Sequence, residues 1–219
     1  MTITFLLETD KLNNDDLFSK YYAKMSQYRK NKIDRMKMHK DKNLSLGAGI
    51  LLDNYLSTIG LKERDTEYSC TENGKPYLKN HPNIYFNLSH SGNVALCSVS
   101  DCNIGCDIEV ISSYNSNIAK RFFTENEYKF ISLATDINTQ AERFFRLWTL
   151  KESYLKFSGK GLAGGLASFE INIDNGNITA KENGVLNTVF FKEYKFQNYC
   201  IAVCSGRNDF SDIPTVVNI

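Results

Sequence analysis

In Ile104-Gly105-Cys106-Asp107-Ile108-Glu109-Val110, apolar residues alternate with small or charged ones at a period of two. A strand with that pattern sends Ile104, Cys106, Ile108 and Val110 to one face and Gly105, Asp107 and Glu109 to the other. Carboxylates two residues apart on one face repel unless a positive charge lies between them, and Gly105 leaves room for a ligand to approach. Alone, this Asp-x-Glu pair also fits a solvated strand face. The segment from Phe145 to Lys156 (FRLWTLKESYLK) reads as a helix whose stripe Phe145, Trp148, Glu152 and Leu155 faces the core. Glu152 then interrupts an apolar surface, where an unpaired carboxylate costs several kcal/mol or takes up a proton. Two partners can relieve that cost: Lys156, one turn along the same face, or a cation shared with Asp107 and Glu109. If the three carboxylates converge, the ligands are hard oxygens only. Such a set selects Mg²⁺ or Mn²⁺ over zinc and leaves coordination positions for water and phosphate oxygens.

Other segments offer donors to an anion. Phe86-Asn87-Leu88-Ser89-His90-Ser91 places a histidine between two serines at what reads as a turn ending a strand. A nucleophilic serine is disfavoured there, because no Gly-x-Ser-x-Gly elbow accompanies it. Lys75, in the turn Asn73-Gly74-Lys75-Pro76-Tyr77, is a further candidate phosphate contact. The stretch from Lys20 to Lys42 carries nine Lys and Arg residues, offset nearby by Asp34 and Asp41. Such a run is ordinarily a solvated helix face, and it can also hold an anionic cofactor or an acidic protein partner. His39 and His81 read as surface residues.

These residues must be positioned by a mixed set of elements. Residues 15–58 read as helical, with Leu46 to Leu56 as their apolar part. Ile84 to Leu88 reads as a short strand. Val94 to Ser100 and Ile104 to Val110 read as the arms of a hairpin about Asp101-Cys102-Asn103. Ile118 to Phe130 and Gln140 to Phe157 are expected as helices, followed by a Gly-rich loop over Gly159 to Gly165. Strands are expected near 168–173, 187–196 and 199–204, and a loose tail after Arg207. Gly92-Asn93-Val94-Ala95-Leu96-Cys97-Ser98 is echoed by the segment from Gln197 to Ser205 (QNYCIAVCS). Two halves of similar α+β plan explain such an echo.

Composition narrows the alternatives. The 219 residues suit one large domain or two small ones sharing a core, and 42% hydrophobic content is enough to build it. A net charge of +1 gives no reason to expect a nucleic-acid partner. No apolar run reaches the roughly 18 residues of a membrane span. The start, Met1 to Leu7, lacks the basic flank of a signal peptide, so a cytoplasmic protein is expected. Of the six cysteines, no two form a Cys-x-x-Cys pair, which argues against structural zinc. Cys97, Cys106, Cys200 and Cys204 lie in apolar strand-like runs and read as small buried hydrophobes.

Four segments together resemble the 4′-phosphopantetheinyl transferase family, and the chain length resembles its Sfp-type branch. They are Asn73 to Tyr77, Phe86 to Ser91, Ile104 to Glu109 and Trp148 to Lys156, in the family's order. The resemblance implies an α+β fold of two similar halves forming a pseudo-dimeric single chain, monomeric, divided as 1–105 and 106–219 with the site at their interface. It implies transfer of the phosphopantetheine arm of coenzyme A to a serine of an apo acyl or peptidyl carrier protein, with release of adenosine 3′,5′-bisphosphate. By the same resemblance Asp107, Glu109 and Glu152 hold Mg²⁺, and Glu152 helps deprotonate the serine. Lys156 contacts the pyrophosphate, while Lys75, Pro76, Ser89 and His90 bind coenzyme A, with His90 near the 3′-phosphate. One departure stands out. Where family members carry an arginine toward the adenosine phosphate, this chain reads Lys42-Asn43-Leu44-Ser45. Lys42 is the expected substitute, with Arg29, Lys30 and Lys32 as alternatives, although an ammonium lacks the guanidinium fork. Another Mg²⁺-dependent phosphotransferase and a silent relative that only binds carrier or coenzyme A are the competing readings.

Overall fold

The computed structural model describes residues 1–161 and 165–219 and divides into two compact α+β units, Met1–Cys102 with Ser211–Ile219, and Asn103–Phe210. The division falls one residue before the start of a strand, Ile104–Val110, that the expected cut at 105/106 would have split.

The first unit opens with β1 (Ile3–Glu8), followed by α1 (Asp15–Tyr22), α2 (Gln27–Asp34) and α3 (His39–Thr58). Three helices thus occupy the stretch that reads as helical. The first two start at side chains that take up free backbone N–H groups of the helix, whereas α3 starts after Met38 with no side-chain cap. Asn14 accepts from Leu17 N at 2.9 Å, and Ser26 accepts from Arg29 N at 3.2 Å. Next come β2 (Tyr68–Cys70), β3 (Pro76–Leu78), β4 (Tyr85–Ser91) and β5 (Val94–Ser100). The apolar half of α3 lies on the sheet, burying Leu46, Leu51, Leu52 and Leu56 with Phe5, Leu7, Cys97 and Val99. Gly47 permits that contact, since a β-carbon there would stand 2.7 Å from Thr9 Cγ2 and 3.2 Å from Ala95 Cβ.

The Ser89-His90-Ser91 segment differs from expectation. It continues β4, with His90 opposite Ala95 and Ser91 opposite Val94, so the turn is Gly92-Asn93. Gly92 takes the positive φ (60°) that a two-residue hairpin loop demands, which moves the turn past the serines.

In the second unit β6 (Ile104–Val110) is not the hairpin partner of β5. The two edges of β5 are occupied by β1 and β4, and β6 pairs with a late strand. Next are α4 (Ser116–Phe122) and α5 (Glu125–Ser132), where a single helix was expected. Phe123 is extended, and Thr124 caps α5 in a reciprocal capping box with Glu127, which ends one helix and starts another. The long helix α6 (Ile137–Ser158) ends at Gly159, which has φ 69°. Of the expected Gly-rich loop, residues 162–164 lie outside the described residues.

After it come β7 (Phe169–Asp174), β8 (Asn177–Glu182), β9 (Val185–Leu186), β10 (Phe190–Phe196) and β11 (Tyr199–Ser205). Strands β8 and β9 were missed, although each follows an Asn-Gly turn. Asn175-Gly176 and Asn183-Gly184 all have positive φ, the conformation that tight hairpins of this type require. The sheet β10-β11-β6 carries α6 across one face. The last segment is not loose: β12 (Thr215–Val216) pairs parallel with β1, and Val217 N donates to Leu6 O at 2.8 Å. The free edge of β1 offers unpaired backbone groups that such a segment satisfies.

Candidate active site

Helix α6 reaches strand β6 at Gly105. A β-carbon at that position would lie 2.1 Å from Ser153 O, 2.3 Å from Phe157 N and 2.9 Å from the Lys156 carbonyl carbon. Only glycine admits the helix backbone so close, and the contact brings Glu152 and Lys156 over the same strand face as Asp107. Lys156 Nζ donates to Asp107 Oδ1 at 2.6 Å and to Cys106 O at 3.2 Å. The Asp107 carboxylate is 5% exposed and the Lys156 side chain 28%. A solvated strand face is therefore not what this sequence forms.

The charges in this corner are coupled. Burial pushes the Glu152 carboxyl above its ordinary value, the Asp107 charge adds to the rise, and Lys156 opposes it. Burial works against the Lys156 ammonium, but the charge of Asp107, with lesser help from Cys106 and Glu152, outweighs it and raises the amine. The salt bridge from Lys156 to Glu152, one of the two alternatives that helix spacing offered, thus has a rival on the strand in Asp107. Glu109 is half-buried two residues further along β6, opposite Cys200 of β11. The Cys200 thiol is pushed up to about 12, first by burial and then by Glu193, Glu142 and Glu109, with Arg146 opposing. Arg146 grips Glu193 of β10 through Nε at 2.7 Å and Nη2 at 2.6 Å, which fastens α6 across the sheet.

The donor chemistry suits a hard divalent cation at Asp107 and Glu152. Both offer oxygen donors, and the Asp107 charge adds to the cost of ionising Glu152, a cost that a shared cation lowers. In the conformation described, no three His, Cys, Asp or Glu side chains among the described residues stand together as a metal site. Asp107 and Glu152 interact, while Glu109 completes no such trio with them.

The core stripe of α6 is rotated from the expected one. Phe144, Leu147, Leu150, Lys151 and Tyr154 are buried, and Phe145, Trp148 and Glu152 are only partly so. Lys151 carried no assigned role in the sequence reading. Its Nζ donates to Glu127 Oε1 at 2.5 Å and to Phe169 O at 2.7 Å, and it lies 4.3 Å from the centre of the Phe169 ring. Glu127 also accepts from Ile171 N and Thr124 N, both at 2.8 Å. One ion pair thereby ties α5, α6 and β7 together. The signal was present in sequence: Ala141, Phe144, Leu147 and Tyr154 form an apolar stripe that Lys151 interrupts.

The remaining candidates belong to the first unit. Lys75 is half-buried at the end of a tight turn, where its N donates to Thr71 Oγ1 at 3.1 Å and its O accepts from Thr71 N at 2.9 Å. Pro76 begins β3 opposite Cys70. Ser89 is buried and His90 exposed, because neighbours in a strand point to opposite faces. They therefore do not form one donor cluster by adjacency. Lys42 is half-buried in the first turn of α3. Of its alternatives, Arg29 is 2% exposed and faces the fully buried Glu63 at 3.9 Å, so it serves the core of the unit. Lys30 lies over the Tyr22 ring at 5.6 Å, and Lys32 is exposed. His39, expected at the surface, is exposed.

Comparison with known proteins bears on both units. Residues 103–204, which contain the whole β6–α6 site, match the model of the 4′-phosphopantetheinyl transferase superfamily. Residues 13–101 match the model described as 4′-phosphopantetheinyl transferase, N-terminal. The chain is 32% identical over 202 residues to 4′-phosphopantetheinyl transferase Sfp of Bacillus subtilis, covering 91% of this chain and 90% of that one. It is 34% identical over 168 residues to 4′-phosphopantetheinyl transferase gsp of Aneurinibacillus migulanus, covering 76% and 70%. Among solved structures, a holo-(acyl-carrier-protein) synthase from Bacillus anthracis in complex with CoA (3′,5′-ADP) is a distant likeness. It has a TM-score of 0.40 and 20% identity, covering 47% of this chain and 93% of that one. The matches put the chain among group-transfer enzymes, and on its α+β scaffold carboxylates from a strand and a helix meet a lysine. The chain belongs to the 4′-phosphopantetheinyl transferase family, in its Sfp-type branch, and is an enzyme of that activity.

Proposed function

We propose that this enzyme moves the 4′-phosphopantetheine arm of coenzyme A onto a serine of an apo acyl or peptidyl carrier protein, releasing adenosine 3′,5′-bisphosphate. The observation that carries this reading is the meeting of Asp107, Glu152 and Lys156 within the segment matched to the family. In the reaction the serine oxygen attacks the phosphorus that bears the pantetheine. The bond from that phosphorus to the bridging oxygen breaks, and the bisphosphate leaves with its electrons. The serine proton passes to Glu152, directly or through a water molecule. Lys156 offsets charge gathering on the leaving phosphate, a contact it makes by turning from Asp107. A divalent cation, Mg²⁺ or Mn²⁺, when bound by Asp107, Glu109 and Glu152, supplies charge neutralisation at the pyrophosphate. Lys75, Pro76, Ser89 and His90 hold coenzyme A, with His90 toward the 3′-phosphate and Lys42 as the added cation. Most of the rate enhancement then comes from positioning and electrostatics.

The same reading takes the two α+β units as a fused pseudo-dimer in a monomeric, cytoplasmic chain. No helix among the described residues is long and apolar enough to cross a membrane. Incubation of a panel of apo carrier proteins with the enzyme, coenzyme A and Mg²⁺ tests the activity by intact mass. Each accepted carrier gains the mass of one phosphopantetheine, and the gain disappears when its serine is replaced by alanine. A panel that stays unmodified across fatty-acid, polyketide and nonribosomal-peptide carriers refutes the reading.

A further inference from the structure

We infer that Lys156 is the resident cation of the Asp107 carboxylate and that an entering divalent cation must displace it. The displaced ammonium then becomes available to the pyrophosphate, so that cation and coenzyme A bind with positive coupling. This rests on the proposed function and adds to it an order inside the site. Lys156 Nζ stands 2.6 Å from Asp107 Oδ1, and Cys106 O gives it a second anchor at 3.2 Å. A divalent ion bound to the same carboxylate sits about 2.0–2.1 Å from its oxygen. It would then lie beside the ammonium in a corner where Asp107 is 3% exposed and water screens little. One of the two positive charges has to yield.

The helix backbone cannot yield, because Gly105 is already in closest contact with Ser153 and Phe157. The Lys156 side chain can: it is 28% exposed, so its four-carbon stem has an open side toward solvent. A pyrophosphate arriving there attracts the ammonium and frees Asp107 for the cation. Because coupling between two binding sites is reciprocal, the cation equally raises the affinity for coenzyme A.

Mn²⁺ binding to the full-length protein, followed by calorimetry and electron paramagnetic resonance, tests this without reference to turnover. Lys156→Met removes the charge, and Lys156→Gln keeps a donor to Asp107 in case the methionine variant is poorly folded. Without coenzyme A, each folded variant is expected to bind Mn²⁺ about tenfold more tightly than the wild type, inside the 5- to 150-fold range usual for such coupling. Coenzyme A should sharpen Mn²⁺ binding more in the wild type than in either variant. If the wild type binds Mn²⁺ with coenzyme A present but neither variant binds it more tightly alone, the displacement is refuted and the metal site stands. If no protein binds Mn²⁺ with or without coenzyme A, the metal site falls and the displacement with it.

Discussion

Gly105 and Ser153 are so close that a β-carbon on the glycine would stand 2.1 Å from the serine carbonyl oxygen. That contact sets how α6 lies on β6, and with it the distance from Glu152 and Lys156 to Asp107. Replacing Gly105 by alanine should therefore push the helix off the strand. Overpacking of this kind costs about 1–3 kcal/mol. We expect a matching drop in the urea midpoint and at least a tenfold loss in kcat/KM. An alanine variant with wild-type activity would show that the site does not depend on this contact.

Glu152 should limit stability in the absence of ligands. Its carboxyl has an ordinary value of 4.5, and burial and Asp107 raise it in the folded protein. The folded state then holds that proton more tightly than the unfolded state. Stability is lost as pH rises through the folded value, and the loss persists at neutral pH. Glu152→Gln has no such ionisation. At pH 7.5, without divalent cations, its melting temperature should exceed that of the wild type, and the gap should close as pH falls below about 4.5, where both states come to hold the proton. The same variant should be inactive in the mass assay. A lower melting temperature at pH 7.5 would contradict the assigned burial cost.

The Lys151–Glu127 pair makes a different demand. Lys151→Ala leaves Glu127 buried without its cation, which costs about 3–5 kcal/mol. Replacing both by apolar residues, Lys151→Met with Glu127→Leu, removes the stranded charge but also two acceptor contacts for Thr124 N and Ile171 N. The double variant should recover part of the lost stability in urea titrations. A double variant as unstable as Lys151→Ala would mean that the backbone contacts of Glu127, rather than its charge pairing, hold the unit.

Thiol labelling separates the cysteines. Cys70 is exposed, while Cys97, Cys106 and Cys204 are buried. Cys200 is partly buried, and its thiol is held up to about 12, so it remains protonated at pH 8. Cys70 should react with Ellman's reagent in the native protein well before these four, and Cys70→Ser should remove that fast phase. Fast labelling of Cys200 would contradict its protected environment.

Much of the site was legible from residue spacing. Alternation around Asp107 and Glu109 depends only on strand geometry, whereas the room that Gly105 was expected to leave for a ligand is taken by the backbone of α6. The four ordered segments were sufficient to identify the family. Helical periodicity located α6, but the stripe that singled out Glu152 is rotated in the structure, and Glu152 lies at the border of the buried face. Asn-Gly pairs before β8 and β9 were equally readable and were passed over.

Other features depend on which segments meet, and local sequence does not encode that. Spacing along the helix offered Lys156 as one of two partners for Glu152; tertiary packing brought the lysine to Asp107, because Gly105 lets α6 settle onto β6. Neighbouring runs about residues 101–103 looked like hairpin arms, yet β5 had both edges occupied and β6 found its partner some ninety positions later, in β11. Lys151 had no partner within its own helix, and tertiary packing gave it Glu127 from α5 and a carbonyl from β7. The sequence by itself determined the residue types, the strand and helix periods and the family. Only the tertiary structure decided which charges are partners, because pairing energies depend on burial and separation, which arise when distant segments are brought together.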